Sequence, residues 1–145
     1  MSTTNNPLYG EPIRRTLTHH AGDSPDSRAV AEATLIIWNL VSNRLAPVIG
    51  TKGVDVLFRR SLHLAAAVFP LFSIPGAQAD NTSLFENIKG RLADQKIAAA
   101  MEAGCTLLIT LTELLTTLIG ESLTERLLGT VWVSPSHSSK QENVS

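Results

Sequence analysis

Between Gln95 and Ile119 apolar residues fall at Ile97, Met101, Leu108, Leu111, Leu115 and Leu118, with Gly104 holding the register between them. Steps of four and three residues return to one face of an α-helix, so the stretch predicts one helix of about 37 Å bearing a heptad seam. A second row, Leu107, Leu114 and Ile119, flanks the seam and makes it wider than one partner helix would cover. Such a helix belongs either at the centre of a bundle or between a core and an interface with another subunit. Ile97, Met101, Leu108, Leu111, Leu115 and Leu118, together with Trp132, are therefore the candidate interface. Charged substitutions of Leu108 and Leu115 separate the two cases: they dissociate an oligomer if the seam is intersubunit and unfold the chain if it is core.

The rest of the sequence supplies helices to pack around this one, and no segment alternates like a strand. Ser24 is the expected N-cap of a first helix, with Pro25 in its first position and Asp26 near the positive end of its dipole. That helix extends to about Ala46. Its core face is Val30, Ala33, Ile37, Trp38, Val41 and Leu45, while Leu35, Ile36 and Leu40 fall outside the stripe and predict contact on a further side. Pro47 and Gly50 end it, and Thr51 caps a second helix from Lys52 to about Phe69, stopped by Pro70. So short a connection predicts antiparallel neighbours. The loop from Pro70 to Asn81 carries Phe72 and Ile74, which should fold back onto the bundle. A third helix starts at Thr82 or Ser83 and uses Leu84, Phe85, Ile88 and Leu92, with Gly90 weakening it. Asp94 is the expected cap of the long helix and Gly120 its end. Ser122 and Glu125 have capping-box spacing before a last amphipathic helix with Leu123, Leu127, Leu128, Val131 and Trp132, closed by Pro135.

The fold class is therefore all-α: a bundle of four to five helices over residues 24–133, with a flexible polar arm over 1–23 and a flexible polar tail over 134–145. At 145 residues and 43% hydrophobic composition the chain can bury a core without staples. Its one cysteine, Cys105, excludes an intrachain disulfide framework and fits a reducing compartment. A net charge of -1 offers no basic excess for a phosphate backbone, so nucleic acid is not an expected partner.

The N-terminal residues lack an apolar region behind their charges, and the expected location is cytoplasmic. An internal stretch from Arg59 to Asp80 has the order of a signal peptide, two arginines, an apolar run and a small-residue end. Its internal position and Pro70 and Pro75 argue against both a signal and a membrane span. The Asn-x-Ser sequences at Asn81 and Asn143 lose their meaning with that reading.

His63 is the residue most like a chemical site. A helical wheel centred on Val54 puts Val54, Leu57, Phe58, Ser61, Leu62, Ala65 and Phe69 on the core side and His63 opposite, beside Arg59 and Arg60. An exposed histidine on a bundle, with a nearby cation and small neighbours, resembles histidine phosphotransfer modules in general arrangement. The His-x-x-Lys-Gly pattern of that family is absent, since Leu64, Ala65, Ala66 and Ala67 follow His63. The alternative is a solvated or interface histidine.

The remaining candidates carry less chemistry. His19 and His20 are adjacent in a polar segment without acidic or cysteine partners, and His137 is isolated, so no metal is expected. Cys105 has no cationic sequence neighbour and reads as an inert buried thiol. Glu102 and Glu113 lie about 16 Å apart along their helix, too far to act on one substrate. The threonines at 106, 110, 112, 116 and 117 are expected to bond back to carbonyls one turn earlier. No phosphate loop, zinc-helix motif or Ser-His-Asp arrangement is present.

These features predict a non-enzymatic interaction or regulatory protein without catalytic residues or cofactor. It should bind a protein partner and itself through apolar helical faces, most simply as a twofold dimer through the long helix. A second possibility is a small apolar ligand held between helices near Trp38, Phe69 and Cys105.

Overall fold

The computed structural model describes residues 10–22, 26–73 and 81–132. These form five helices, α1 (Gly10–Ala21), α2 (Ser27–Ala65), α3 (Asn81–Ala93), α4 (Ile97–Ile119) and α5 (Glu121–Leu128), with a 3-10 turn at Pro70–Phe72. There is no strand among the described residues, and the all-α bundle is the observed architecture.

Backbone groups that lack intrahelical partners decide where α2 begins. Asp26 has an extended backbone, and its carboxylate accepts the Ala29 N–H at 2.8 Å, which satisfies one orphan donor of the first turn. The cap is thus Asp26; Ser24 and Pro25, expected at the cap and first position, lie outside the described residues. The helix passes Pro47 and breaks at Gly50, whose φ of 81° and ψ of 159° are nearly exclusive to glycine. Two arms result, residues 27–49 and 51–65. Trp38 and Phe58 stack with ring centroids 4.4 Å apart, whereas an unbroken helix would separate them by about 30 Å. The arms therefore fold back on each other as the antiparallel pair expected from Pro47 and Gly50.

The second arm closes at Ala65, four residues before the expected Phe69. The following turn is held by Val68 and Phe69 N–H groups donating to the Ala65 carbonyl. Phe72 then folds back and is buried, as expected; Ile74 lies outside the described residues.

α4 packs chiefly against α2, α3 lies along α2, and α1 lies over α2 and α4. Gly104 marks the closest approach. A Cβ there would come within 2.6 Å of Thr34 Oγ1 on α2 and 3.2 Å of Leu17 Cδ2 on α1, so three helices converge on a position with no side chain.

α1 corrects the expectation of a flexible arm over residues 1–23. Ile13 and Leu17, one turn apart, are fully buried, and the buried Thr16 hydroxyl donates to the Pro12 carbonyl at 2.7 Å. Arg14 meets Glu102 of α4 at 3.0 Å. Pro12 falls in the first turn, where a missing N–H costs no intrahelical bond. Residues 1–9 and the expected tail, 134–145 with His137, lie outside the described residues.

Two expected caps do not form. α4 follows Lys96 with no side-chain cap, and Asp94 sits in the preceding turn; the connection is instead tied by the Ser27 hydroxyl donating to the Gln95 carbonyl. Gly120, at φ 93°, turns the chain so sharply that α5 starts at Glu121. Ser122 is then inside the first turn and cannot cap it. The threonine expectation holds where bonds are observed: Thr112, Thr116 and Thr117 each donate to the carbonyl four residues earlier.

Candidate functional site

The seam of α4 divides between interior and surface. Leu108, Leu111 and Leu115 are buried within the single chain, while Ile97 and Leu118 at its two ends are exposed and Met101 is half-buried. Of the two cases for the seam, its middle is core, and Leu108, Leu111 and Leu115 are corrected as interface residues because the single chain already buries them. Trp132, half-buried after α5, packs against the core. α4 is also the one helix among the described residues long and apolar enough to cross a bilayer, and half of its most apolar stretch is buried in the bundle.

Of the three residues of the expected ligand pocket, Trp38 lines two clefts. Trp38 is buried in an aromatic cluster, stacked on Phe58, which meets Phe85 edge-on at 5.2 Å. Beside it a cleft of about 230 Å³ opens at the fold of α2, lined among others by Asn39, Ser42, Thr51, Val54 and Asp55. A second cleft, about 380 Å³, runs between the first arm of α2 and α3, with Leu35, Ile36, Glu86 and Lys89 on its walls. Neither Phe69 nor Cys105 lines either one. Cys105 is buried on α4, and burial pushes its thiol up to about 11, with Arg14 pulling weakly the other way. It has the character of an inert core group.

His63 is exposed, as the helical wheel predicts, and so is Arg60. Arg59 is not an idle cation: its Nε donates to the Asp55 carboxylate one turn back at 3.1 Å. The cleft beside His63, about 170 Å³, is walled by Leu62, Phe72 and Leu84, so bulky groups stand where only small ones were expected. The arrangement combines an imidazole with a guanidinium already neutralised by a carboxylate. His19 and His20 close α1 with their rings edge-on at 5.4 Å, and burial, then the His19 ring, lowers the His20 pKa. Among the described residues no three His, Cys, Asp or Glu side chains gather as metal ligands would. Burial raises the Glu113 pKa, and Glu102 is held by Arg14.

The outer surface of α2 is the feature that the pattern of stripes only half revealed. Ile36 and Leu40, expected to contact a further element, are exposed, Ile36 by 46%. Val48 is exposed near the end of the same arm. On the second arm a single row at four-residue steps reads Lys52, Val56, Arg60, Leu64 and then Val68 just beyond the helix, and all five are exposed. Val56 is 63% and Val68 58% exposed, values more usual for charged side chains. Comparison of the chain with protein-family models, with curated proteins and with solved structures found no match in any of the three, so function rests on this geometry alone.

Proposed function

We propose that the chain is a non-enzymatic interaction protein whose partner-binding surface is the outer face of the folded-back helix α2. One observation carries this reading. Eight large apolar side chains are exposed among the described residues; five of them, Ile36, Leu40, Val48, Val56 and Leu64, lie on α2, and Val68 follows its end. Scattered exposed aliphatics are ordinary, but their concentration on one element while α4 is buried beneath it is the distribution of a docking face. The core needs none of them, because each arm already buries a complete stripe on its inner side.

A photo-crosslinking amino acid at position 36, 56 or 64, in protein expressed in its own host, tests the reading. Defined crosslinks from these positions, to a partner or to a second copy, and none from the exposed position 126 on α5, are the expected result. Crosslinks equally frequent at all four positions, or at none, overturn it. His63 phosphotransfer is the second reading and has less support, since Arg59 is engaged by Asp55 and Phe72 and Leu84 crowd the cleft.

A further inference from the structure

The second arm of α2 has a chemistry as well as a shape. α2 holds five cations, Arg28, Arg44, Lys52, Arg59 and Arg60, against two carboxylates, Glu32 and Asp55, a formal charge of +3 in a chain whose net charge is -1. The remainder of the chain, at -4 by difference, is acidic. Two of the cations, Lys52 and Arg60, stand in the exposed row with Val56, Leu64 and Val68, and among the described residues neither meets a carboxylate. Asp55 lies off this row and is engaged by Arg59. Thus three of the exposed apolar side chains, Val56, Leu64 and Val68, and two cations without an ion pair alternate along one line, cation, aliphatic, cation, aliphatic, at one helical turn per step.

We infer that this row docks an acidic amphipathic helix of a protein partner, a deduction that rests on the interaction reading above. Lys52 and Arg60 are about 12 Å apart along the axis, which is eight residues of an opposing helix. Such a helix would present carboxylates at eight-residue spacing with an apolar residue midway, so that its acids meet Lys52 and Arg60 while its apolar side chains cover Val56 and Leu64.

The alternation favours a helix over two other anionic surfaces. A membrane-bound helix segregates its cations to the flanks of a wide apolar face rich in Leu, Phe or Trp, whereas here each cation stands between aliphatics and no aromatic residue is in the row. A nucleic acid would leave Val56, Leu64 and Val68 against phosphates, and the row has no ring on which a base could stack. Self-association through this row is disfavoured in its twofold form, because an axis at Val56 would bring Lys52 against Arg60 and an axis at Arg60 would bring Arg60 against its equivalent.

The test uses the full chain and a labelled synthetic peptide with Glu and Leu alternating at four-residue steps on one face and Ala and Gln elsewhere. Saturable binding is expected, weakened by raised salt. It should fall at least about tenfold for the same peptide with Lys in place of Glu, and again for the Arg60→Glu or Leu64→Asp protein. Lys52→Ala with Arg60→Ala is the milder pair, which keeps the test valid should a charge reversal disturb the helix; circular dichroism and the melting temperature report that directly.

Equal binding of the Glu and Lys peptides overturns the inference. Two further outcomes also do so: Arg60-dependent binding to phosphatidylserine vesicles without peptide binding, which makes the row a membrane face, and salt-sensitive self-association abolished by Arg60→Glu without peptide binding, which makes the occupant a second copy. If crosslinks form at positions 56 and 64 while the Glu peptide fails, the docking face stands and its acidic partner does not; if no crosslinks form there, the docking face itself falls.

Discussion

Gly104 is held by a conflict between two local effects of opposite sign. Alanine in a helix interior gains about 1 kcal/mol over glycine by propensity. Its Cβ, however, would stand 2.6 Å from Thr34 Oγ1, a hydroxyl fixed both by a stiff β-branched side chain and by its bond to the Val30 carbonyl at 2.8 Å. Overpacking of this kind costs about 1–3 kcal/mol, and relief requires α2 or α1 to move, since Leu17 is on the other side. Gly104→Ala should therefore lower stability in urea unfolding by roughly 1 kcal/mol net. Adding Thr34→Ala should recover part of the loss, a coupling read by the double-mutant cycle. A stabilised single variant would show that the three helices are not tightly apposed there.

Cys105, the next residue, reports on the same contact through its proton. Burial raises its pKa from about 9 to about 11, so the native state keeps the proton that the unfolded chain releases. Between those values the unfolded state binds fewer protons, and stability falls as pH rises; below about pH 9 the thiol contributes no slope. Cys105→Ala should flatten the decline of unfolding free energy between pH 9 and 11 by an amount on the order of 2 kcal/mol. Equal slopes in the two proteins would mean that the thiol is open to water.

At the scale of elements, Gly50 makes the docking face possible. Its left-handed backbone turns α2 back on itself, and any side chain there is strained at that φ even though no neighbouring atom stands in its way. Gly50→Ala should cost about 1–3 kcal/mol. It should also loosen the stack of Trp38 on Phe58, visible as altered Trp38 fluorescence in a Trp132→Phe background. An unchanged spectrum and melting temperature would place the turn elsewhere.

Pro47 and Gly50 made this reversal legible in the sequence, as the strict periodicity of the second arm gave its inner face residue by residue. α1 was not legible, because two large aliphatics in a segment rich in polar residues, prolines and glycines carry little periodic signal; its helix is held by the burial of Ile13 and Leu17, the latter beside Gly104. The caps at Asp94 and Ser122 misled for a related reason. A side-chain cap is one way to satisfy a helix end, and here the Ser27 bond to Gln95 and the turn at Gly120 fix the boundaries first. His63 was placed correctly on the surface, but only tertiary packing brings Phe72 and Leu84 to its side. The row on the second arm is present in the sequence as the four-residue spacing of Lys52, Val56, Arg60, Leu64 and Val68, but the core stripe explains the helix without it.

For the whole molecule, the division of apolar residues between α4 and α2 predicts two kinds of failure. Leu108 on α4 is buried in the core, and an aspartate there would leave a charge without a partner. Loss of the fold is expected, at a cost above about 4 kcal/mol, seen as lost helical circular dichroism or a melting temperature lowered below that of any surface variant. Leu64, 40% exposed on the outer row, should tolerate the same aspartate with a change within about 0.5–1 kcal/mol, yet lose its crosslinked partner. The contrast is informative because both are leucine-to-aspartate changes in helices of one chain. If Leu64→Asp unfolded the protein, the outer face of α2 would be part of its core in an assembly. If Leu108→Asp left a folded protein, the packing of α4 beneath α1 and α2 would be wrong, and with it the reason for assigning the surplus of apolar surface to α2.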